Sequence, residues 1–126
     1  MLLDSTFLID LIDRDPDAKA KLDELAEAST PVAFSVLTAF EVGVGLHGTD
    51  ERERYERIVA AMTVVPLGRA ATRRAISIQR TLRSRGEEIG SVDALIAGTA
   101  AERDENVLTR NVDEFERVGE IAVETH

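Results

Sequence analysis

The sequence predicts an α/β fold in which a parallel sheet is covered by helices on both faces. Short apolar runs alternate with longer stretches of helical periodicity, which is the pattern of strands joined by crossover helices. The longer stretches carry apolar residues on one side and charged residues on the other, as helices that lie on a sheet do. No repeat, low-complexity tract or linker interrupts the pattern, so we expect a single domain over residues 1–126.

Five short apolar runs are predicted as strands. The first three end at residues that cap or break regular structure, namely Asp4, Ser35 and Pro66. Because helical stretches separate the runs, neighbouring strands are expected to be parallel. The predicted strands are residues 1–4, 32–34, 63–65, 106–109 and 121–123.

Six helical segments are predicted between and after these strands. In one of them Val36, Phe40 and Val44 recur at the i, i+4, i+8 spacing of a helix. Gly86 closes the longest segment, and Ser91 is expected to cap the next one. The predicted helices are residues 18–28, 36–46, 50 onwards, 69–85, 91–103 and 112–118.

The composition excludes several classes of function. The chain has no cysteine, which removes disulfides, iron–sulfur clusters, thiolate zinc sites and cysteine nucleophiles. Its two histidines leave little for a histidine-based zinc enzyme. Acidic residues outnumber basic ones by 24 to 15, which gives a net charge of −9. No apolar run approaches the roughly 20 residues of a membrane span, and no signal peptide is evident, so a cytoplasmic protein without membrane contact is expected.

One glycine motif matches a nucleotide-binding pattern but lacks the surrounding structure that such a site needs. Residues 43–48 match the dinucleotide-binding pattern G-x-G-x-x-G. That pattern needs a strand before it and an acidic residue about 20 positions later, whereas helical periodicity precedes Gly43 and no acid lies near Gly68. We expect these glycines to end a helix and to form a loop that contains His47.

Polar residues placed around the strands are the stronger signal. Asp4 ends the first strand, and Asn111 and Asp113 follow the fourth. Glu41 lies in the helix after the second strand, and Asp93 opens an otherwise apolar helix. Because ligands of an open parallel sheet bind beyond the carboxyl ends of its strands, we expect these residues to meet at one edge.

Each of these residues also has a purely structural interpretation. Asp4 could cap a helix that begins just after it, and Thr38 and Glu41 spell a capping box. Asp93 would be favoured by a helix dipole, and Asn111 is a common cap or turn residue. Taken together, however, several acids at one apolar edge would repel one another unless a cation joined them. Carboxylate and amide oxygens suit Mg²⁺ or Mn²⁺, which favours phosphodiester hydrolysis.

At these residues the chain resembles the PIN-domain family and, within it, the VapC-type toxins of toxin–antitoxin pairs. The similarity extends over nearly the whole chain, and its specificity comes from four segments in the right order and structural context. The matching segments are residues 2–10, 35–41, 93–97 and 109–115.

The resemblance implies a three-layer α/β/α sandwich around a parallel sheet of four to five strands, and an endoribonuclease that depends on Mg²⁺ or Mn²⁺. Asp4, Glu41 and Asp93 match the family's acidic metal-site positions. Asn111 stands at a fourth position that is often aspartate, and Asp113 belongs to the element that follows. RNA as substrate, a cognate VapB-type antitoxin and a homodimer are implied as well. Asn111 permits one alternative, a PIN-like nucleic-acid-binding or regulatory module with little activity. A housekeeping RNA-processing nuclease without an antitoxin is a further alternative.

The helix predicted over residues 69–85 has a basic face. Its apolar stripe comprises Ala71, Ala75, Ile78 and Leu82. The opposite side carries Arg69, Arg73, Arg80 and Arg83. This face could contact RNA, or it could be a solvated surface or one that pairs with an acidic partner, and the sequence leaves these interpretations open.

Overall fold

The computed structural model describes residues 1–126 and contains one sheet of five parallel strands. The spatial order of the strands is β3-β2-β1-β4-β5. Their bounds are β1 (Leu2–Leu3), β2 (Ala33–Ser35), β3 (Thr63–Val65), β4 (Val107–Leu108) and β5 (Val123–Glu124). The predicted parallel sheet is confirmed. The last strand lies two residues later than predicted, because Val123 and Glu124 pair with β4.

Seven helices connect and follow the strands. They are α1 (Ser5–Ile12), α2 (Pro16–Glu27), α3 (Val36–Val44), α4 (Thr49–Ala61), α5 (Arg69–Ser84), α6 (Ser91–Arg103) and α7 (Val112–Glu116). The expected cap at Ser91 is wrong: Gly90 occupies the N-cap position, and Ser91 is already the first residue of α6. None of the helices combines the length and the hydropathy required to cross a bilayer.

The helices form two layers, one on each face of the sheet, as the three-layer prediction requires. Adjacent residues of a strand point to opposite faces, so each central strand contributes to two separate cores. One core joins the sheet to α5, α6 and α7, and the other joins it to α1, α2, α3 and α4. The three central strands, β1, β2 and β4, contribute Leu2, Ala33 and Val107 to the first core and Leu3, Phe34 and Leu108 to the second.

Gly98 lets α5 and α6 approach until their backbones touch. A Cβ atom at this position would lie 2.5 Å from the carbonyl oxygen of Ala71 and 2.7 Å from the backbone nitrogen of Ala75. Any side chain here would therefore push the two helices apart. This close contact packs α6, the helix that carries Asp93, directly against α5.

Candidate metal centre at the carboxyl edge of the sheet

The candidate site lies where the chain changes direction across the sheet. From β1 the strand order runs to β2 and β3 on one side and to β4 and β5 on the other. Ligands of open parallel sheets bind at such a switch point, beyond the carboxyl ends of the strands. Asp4 directly follows β1, and Thr109 directly follows β4, its hydrogen-bonded neighbour.

Asp4 is held by three hydrogen bonds. Its Oδ2 accepts from the hydroxyl of Thr109 at 2.6 Å, and its Oδ1 accepts from the hydroxyl of Thr6 at 2.7 Å. Oδ1 also accepts from the backbone N–H of Phe7 at 3.2 Å, so Asp4 caps α1 as the structural interpretation proposed. The side chain is buried, and this desolvation raises its pKa although all three hydrogen bonds act to lower it.

The two threonines connect Asp4 to the loop after β4. The hydroxyl of Thr109 accepts from the backbone N–H of Asn111 at 2.8 Å, and that of Thr6 accepts from the backbone N–H of Arg110 at 2.9 Å. Sequence reasoning overlooked both residues. No spacing in the sequence reveals them: only the register of the sheet, in which Leu3 pairs with Leu108, makes Asp4 and Thr109 neighbours.

Glu41 reaches the site from α3. Its carboxylate accepts a hydrogen bond from the hydroxyl of Ser5, at the start of α1. The capping-box interpretation is wrong, because α3 begins three residues earlier than it requires. The N-cap is Ser35, whose hydroxyl accepts from the backbone N–H of Leu37 at 3.1 Å, while Thr38 lies inside the helix with its buried hydroxyl unpaired.

Asp93 shows most clearly that the acids converge. The pKa of Asp93 is raised to about 7, first by burial and then by the carboxyl of Glu114, with which it can share a hydrogen bond. The negative charges of Asp4 and Glu41 raise the pKa of Asp93 further. The structure therefore brings the three predicted acids close enough for their charges to interact, and it adds a fourth acid, Glu114.

Glu114 was missed because two acids stand side by side in the sequence. Both Asp113 and Glu114 lie in the first turn of α7, where their side chains point about 100° apart. The buried Phe115 sets the rotation of the helix, so that Glu114 is half-buried beside Asp93 while Asp113 is exposed. Asn111 occupies the N-cap position of α7, as its structural interpretation proposed, but its side chain makes no capping hydrogen bond.

The cluster fits a hard divalent cation. None of the ion pairs in the protein involves Asp4, Glu41, Asp93 or Glu114, so no internal lysine or arginine neutralises their charge. No three of these carboxylates have ligand atoms all within 4.8 Å of one another. An all-oxygen set of this open spacing suits an ion that keeps several of its waters, as Mg²⁺ does.

The basic face of α5 lies on the outside of the molecule. The predicted apolar stripe is buried, and all four arginines opposite it are exposed. Arg83 is engaged by Glu88, with Nε donating to Oε2 at 2.9 Å, whereas Arg69, Arg73 and Arg80 form no ion pair.

Two other sequence expectations meet different outcomes in α3. The glycine motif ends this helix and forms the loop to α4, as predicted, with Gly45 at the C-cap and Gly48 at the next N-cap. The periodic stripe of Val36, Phe40 and Val44 predicted the helix correctly, but it faces outwards. Phe40 is 72% exposed and Val44 69% exposed, because α3 packs through its other side.

Comparison with known proteins agrees with this fold. The family model described as PIN domain matches residues 1–121. The chain is 32% identical over 114 residues to Ribonuclease VapC19 of Mycobacterium tuberculosis, a match that covers 90% of each chain.

Two solved structures extend the comparison. DNA-bound VapBC from Salmonella typhimurium has 26% sequence identity and a TM-score of 0.85, over 98% of this chain and 96% of that one. VapBC-5 from Mycobacterium tuberculosis, a member of the VapBC family of toxin–antitoxin systems, has 28% identity and a TM-score of 0.69, over 98% and 94% of the two chains. The three-layer fold, the acids at its switch point and these matches lead to one conclusion: the chain belongs to the PIN-domain family.

Proposed function

We propose that this protein is the endoribonuclease toxin of a VapBC-type toxin–antitoxin pair, and that it hydrolyses RNA phosphodiester bonds with Mg²⁺ or Mn²⁺. The observation that carries the proposal is the convergence of unneutralised carboxylates around Asp93, whose pKa is raised to about 7 first by burial and then by Glu114, Asp4 and Glu41. The names of the relatives, a ribonuclease and a member of a toxin–antitoxin family, support RNA hydrolysis and pairing with an antitoxin. The all-oxygen donor set supports Mg²⁺ or Mn²⁺ as the ion.

In this proposal Asp4, Glu41 and Asp93 hold the ion, and Asn111 contributes an uncharged oxygen at the edge of the site. Glu114 adds a fourth carboxylate beside Asp93. Asp113 is the weakest candidate ligand, since its side chain is exposed. When bound, the divalent ion would lower the pKa of a water and neutralise charge on the phosphate under attack.

The chain's own residues would position and tune this site. The hydroxyls of Thr6 and Thr109 fix both oxygens of Asp4, which orients its remaining lone pairs. Asp93, with its pKa near neutrality, would lose its proton when a cation binds and regain it when the cation leaves. Glu114 can take part in holding that proton, because it shares a hydrogen bond with Asp93.

We assign RNA contact to the unpaired arginines of α5, with Arg69, Arg73 and Arg80 as the main candidates and Arg83 as a lesser one because Glu88 engages it. A protein of net charge −9 needs a local basic surface to approach RNA, and this is the face that the fold exposes. The chain's single tyrosine and four phenylalanines leave little for base stacking, so phosphate contact would dominate.

The exposed apolar stripe of α3 supports a protein partner. It lies on the same helix as Glu41, so a partner bound there would also cover the acidic site. Exposed apolar patches that adjoin a functional site commonly mark interaction surfaces. A VapB-type antitoxin is the partner we propose for this stripe, and a homodimer is the assembly that family membership implies for the toxin itself.

One observation keeps a second function in view. Asn111 carries no charge at a position that is often aspartate in the family, which would weaken the site for a second ion. A regulatory or nucleic-acid-binding module with little activity would have this feature. A protein with the same site but without a cognate antitoxin would be a housekeeping RNA-processing nuclease.

Replacing Asp4 with asparagine separates these functions. We expect Asp4→Asn to reduce Mn²⁺-dependent RNA cleavage by about a hundredfold or more, since losing several kcal/mol of transition-state stabilisation has at least that effect. The melting temperature should stay the same or rise, because a buried carboxylate whose pKa is raised is removed. Glu102→Gln, an exposed change on α6, is the matched control. Wild-type cleavage by Asp4→Asn would exclude Asp4 from the reaction, and inactive wild-type protein would favour the regulatory module.

The pKa of Asp93 predicts how stability depends on pH. A folded-state pKa of about 7, against 3.8 for an ordinary aspartate, means that Asp93 contributes most stability below pH 3.8 and that this contribution is lost as the pH rises through 7. In metal-free protein, Asp93→Asn and wild type should melt at similar temperatures near about pH 4, and the variant should melt progressively higher towards about pH 8. Thermal melts across this range would measure the difference. A difference that does not change with pH would show that Asp93 ionises normally.

Charge reversal tests the basic face. Replacing Arg73 and Arg80 with glutamate should weaken RNA binding and make its dependence on salt shallower, by about one unit of slope for each phosphate that the variant no longer binds. Cleavage at saturating RNA should change less. The matched control reverses Arg52 and Arg57, which are exposed and unpaired on α4. Equal affinities and slopes for the two double variants, measured by titration over a salt series, would return the α5 arginines to a solvated or partner-binding role.

A further inference from the structure

A second group of metal-ligating side chains lies outside the acidic site. Asp10 comes from α1, Asp15 is the N-cap of α2, and His126 follows β5. One ligand atom from each of the three lies within 4.8 Å of the other two, which is true of no other trio of such residues in this chain. Neither the family match nor the proposed nuclease activity accounts for this group.

The turn between α1 and α2 brings the two aspartates together. Arg14 adopts a left-handed backbone conformation with φ of 59°, which reverses the chain directly after α1. The backbone N–H of Asp15 then donates to the carbonyl of Asp10 at 2.9 Å, so the two residues lie side by side. Asp15 uses Oδ2 to cap α2 at Ala18, and its Oδ1 accepts no hydrogen bond from the protein.

His126 completes the group from the far end of the chain. Its side chain is 1% exposed, and its ring meets the ring of Phe7 edge-on with centroids 4.7 Å apart. Nε2 lies 2.7 Å from Oδ2 of Asp10, while the buried Nδ1 has no hydrogen-bond partner. Nε2 is therefore the ring nitrogen that faces the carboxylates, and a neutral imidazole can bind a metal ion through this atom.

The group keeps a net negative charge of about −1 even with its basic neighbour. Arg110 Nε contacts Oδ2 of Asp10 at 2.7 Å, which leaves Oδ1 of Asp10 free and offsets one of the two negative charges. Arg110 is 55% exposed, so it can move aside without unfolding any element. Two carboxylates and one imidazole, with one arginine beside them, would carry a net charge close to +1 after binding a divalent ion.

We propose that Asp10, Asp15 and His126 form a second metal site, which binds a borderline divalent ion of the Zn²⁺ class rather than Mg²⁺. An imidazole ligand selects zinc-like ions, whereas the all-carboxylate site at the sheet edge selects hard ones. The bound ion fastens the segment after β5 to the α1–α2 turn. The proposal does not depend on nuclease activity, and each can fail without the other.

The two histidines make the test direct, because His47 lies exposed in the loop between α3 and α4 and serves as an internal control. One equivalent of Zn²⁺ should shift the imidazole proton resonances of His126 and leave those of His47 in place, and Mg²⁺ should shift neither. Asp15→Asn should weaken Zn²⁺ binding about tenfold or more while asparagine still caps α2. The control Asp17→Asn, at an exposed position two residues further along the chain, should not weaken Zn²⁺ binding.

Calorimetric titration of the folded variants supplies the affinities, and circular dichroism confirms their fold. His126 resonances that do not move with Zn²⁺, or equal affinities for Asp15→Asn and Asp17→Asn, would overturn the site. Loss of Zn²⁺ binding in Asp93→Asn instead would overturn it as well, because the ion would then belong to the acidic cluster.

Discussion

Electrostatic repulsion among clustered carboxylates is the constraint on which the rest of this structure depends. Asp4, Glu41, Asp93 and Glu114 come from four different parts of the chain, yet the fold brings them together without a basic partner. Such an arrangement is unfavourable in the apo protein: burial raises the pKa of Asp93, and the charges of Glu114, Asp4 and Glu41 raise it further. The scaffold offsets it locally through the hydroxyls of Thr6 and Thr109 and globally through the close packing of α5 on α6 at Gly98. A folded protein that tolerates this repulsion is preorganised for a cation.

Much of the fold could be predicted from the sequence, because the patterns that indicate strands and helices are local. Apolar runs between amphipathic stretches predict buried parallel strands, and the stripe of Ala71, Ala75, Ile78 and Leu82 is buried as its spacing requires. Asp4 was predictable from its place at a strand end. The rotation of a helix about its axis could not be predicted. Glu114 rather than Asp113 faces Asp93, and the apolar stripe of α3 points outwards. The capping box failed for a related reason, since a local motif does not reveal that α3 already begins at the end of β2.

Long-range contacts account for the remaining features that sequence reasoning missed. Thr109 reaches Asp4 across 105 positions, and His126 reaches Asp10 across 116. Neither pair has a recognisable spacing, because only the strand register and the path of the chain after β5 bring the partners together. The result is a molecule with two chemically different groups of ligands, an all-carboxylate site at the sheet edge and a mixed carboxylate–imidazole group at the α1–α2 turn. We propose that arginines on α5 contact RNA and that apolar residues on α3 contact a protein partner.

The central claim is that the acids at the sheet edge act together as the site of one catalytic divalent ion. Calorimetric titration of Mn²⁺ into metal-free protein, in buffers of different ionisation enthalpy, measures both binding and the protons released. The account predicts that binding releases protons near pH 7, because Asp93 must ionise, and that Asp4→Asn and Asp93→Asn each abolish this binding while Glu102→Gln retains it. Binding that is unaffected by both site variants would contradict the account, because the ion would then not be held by these carboxylates.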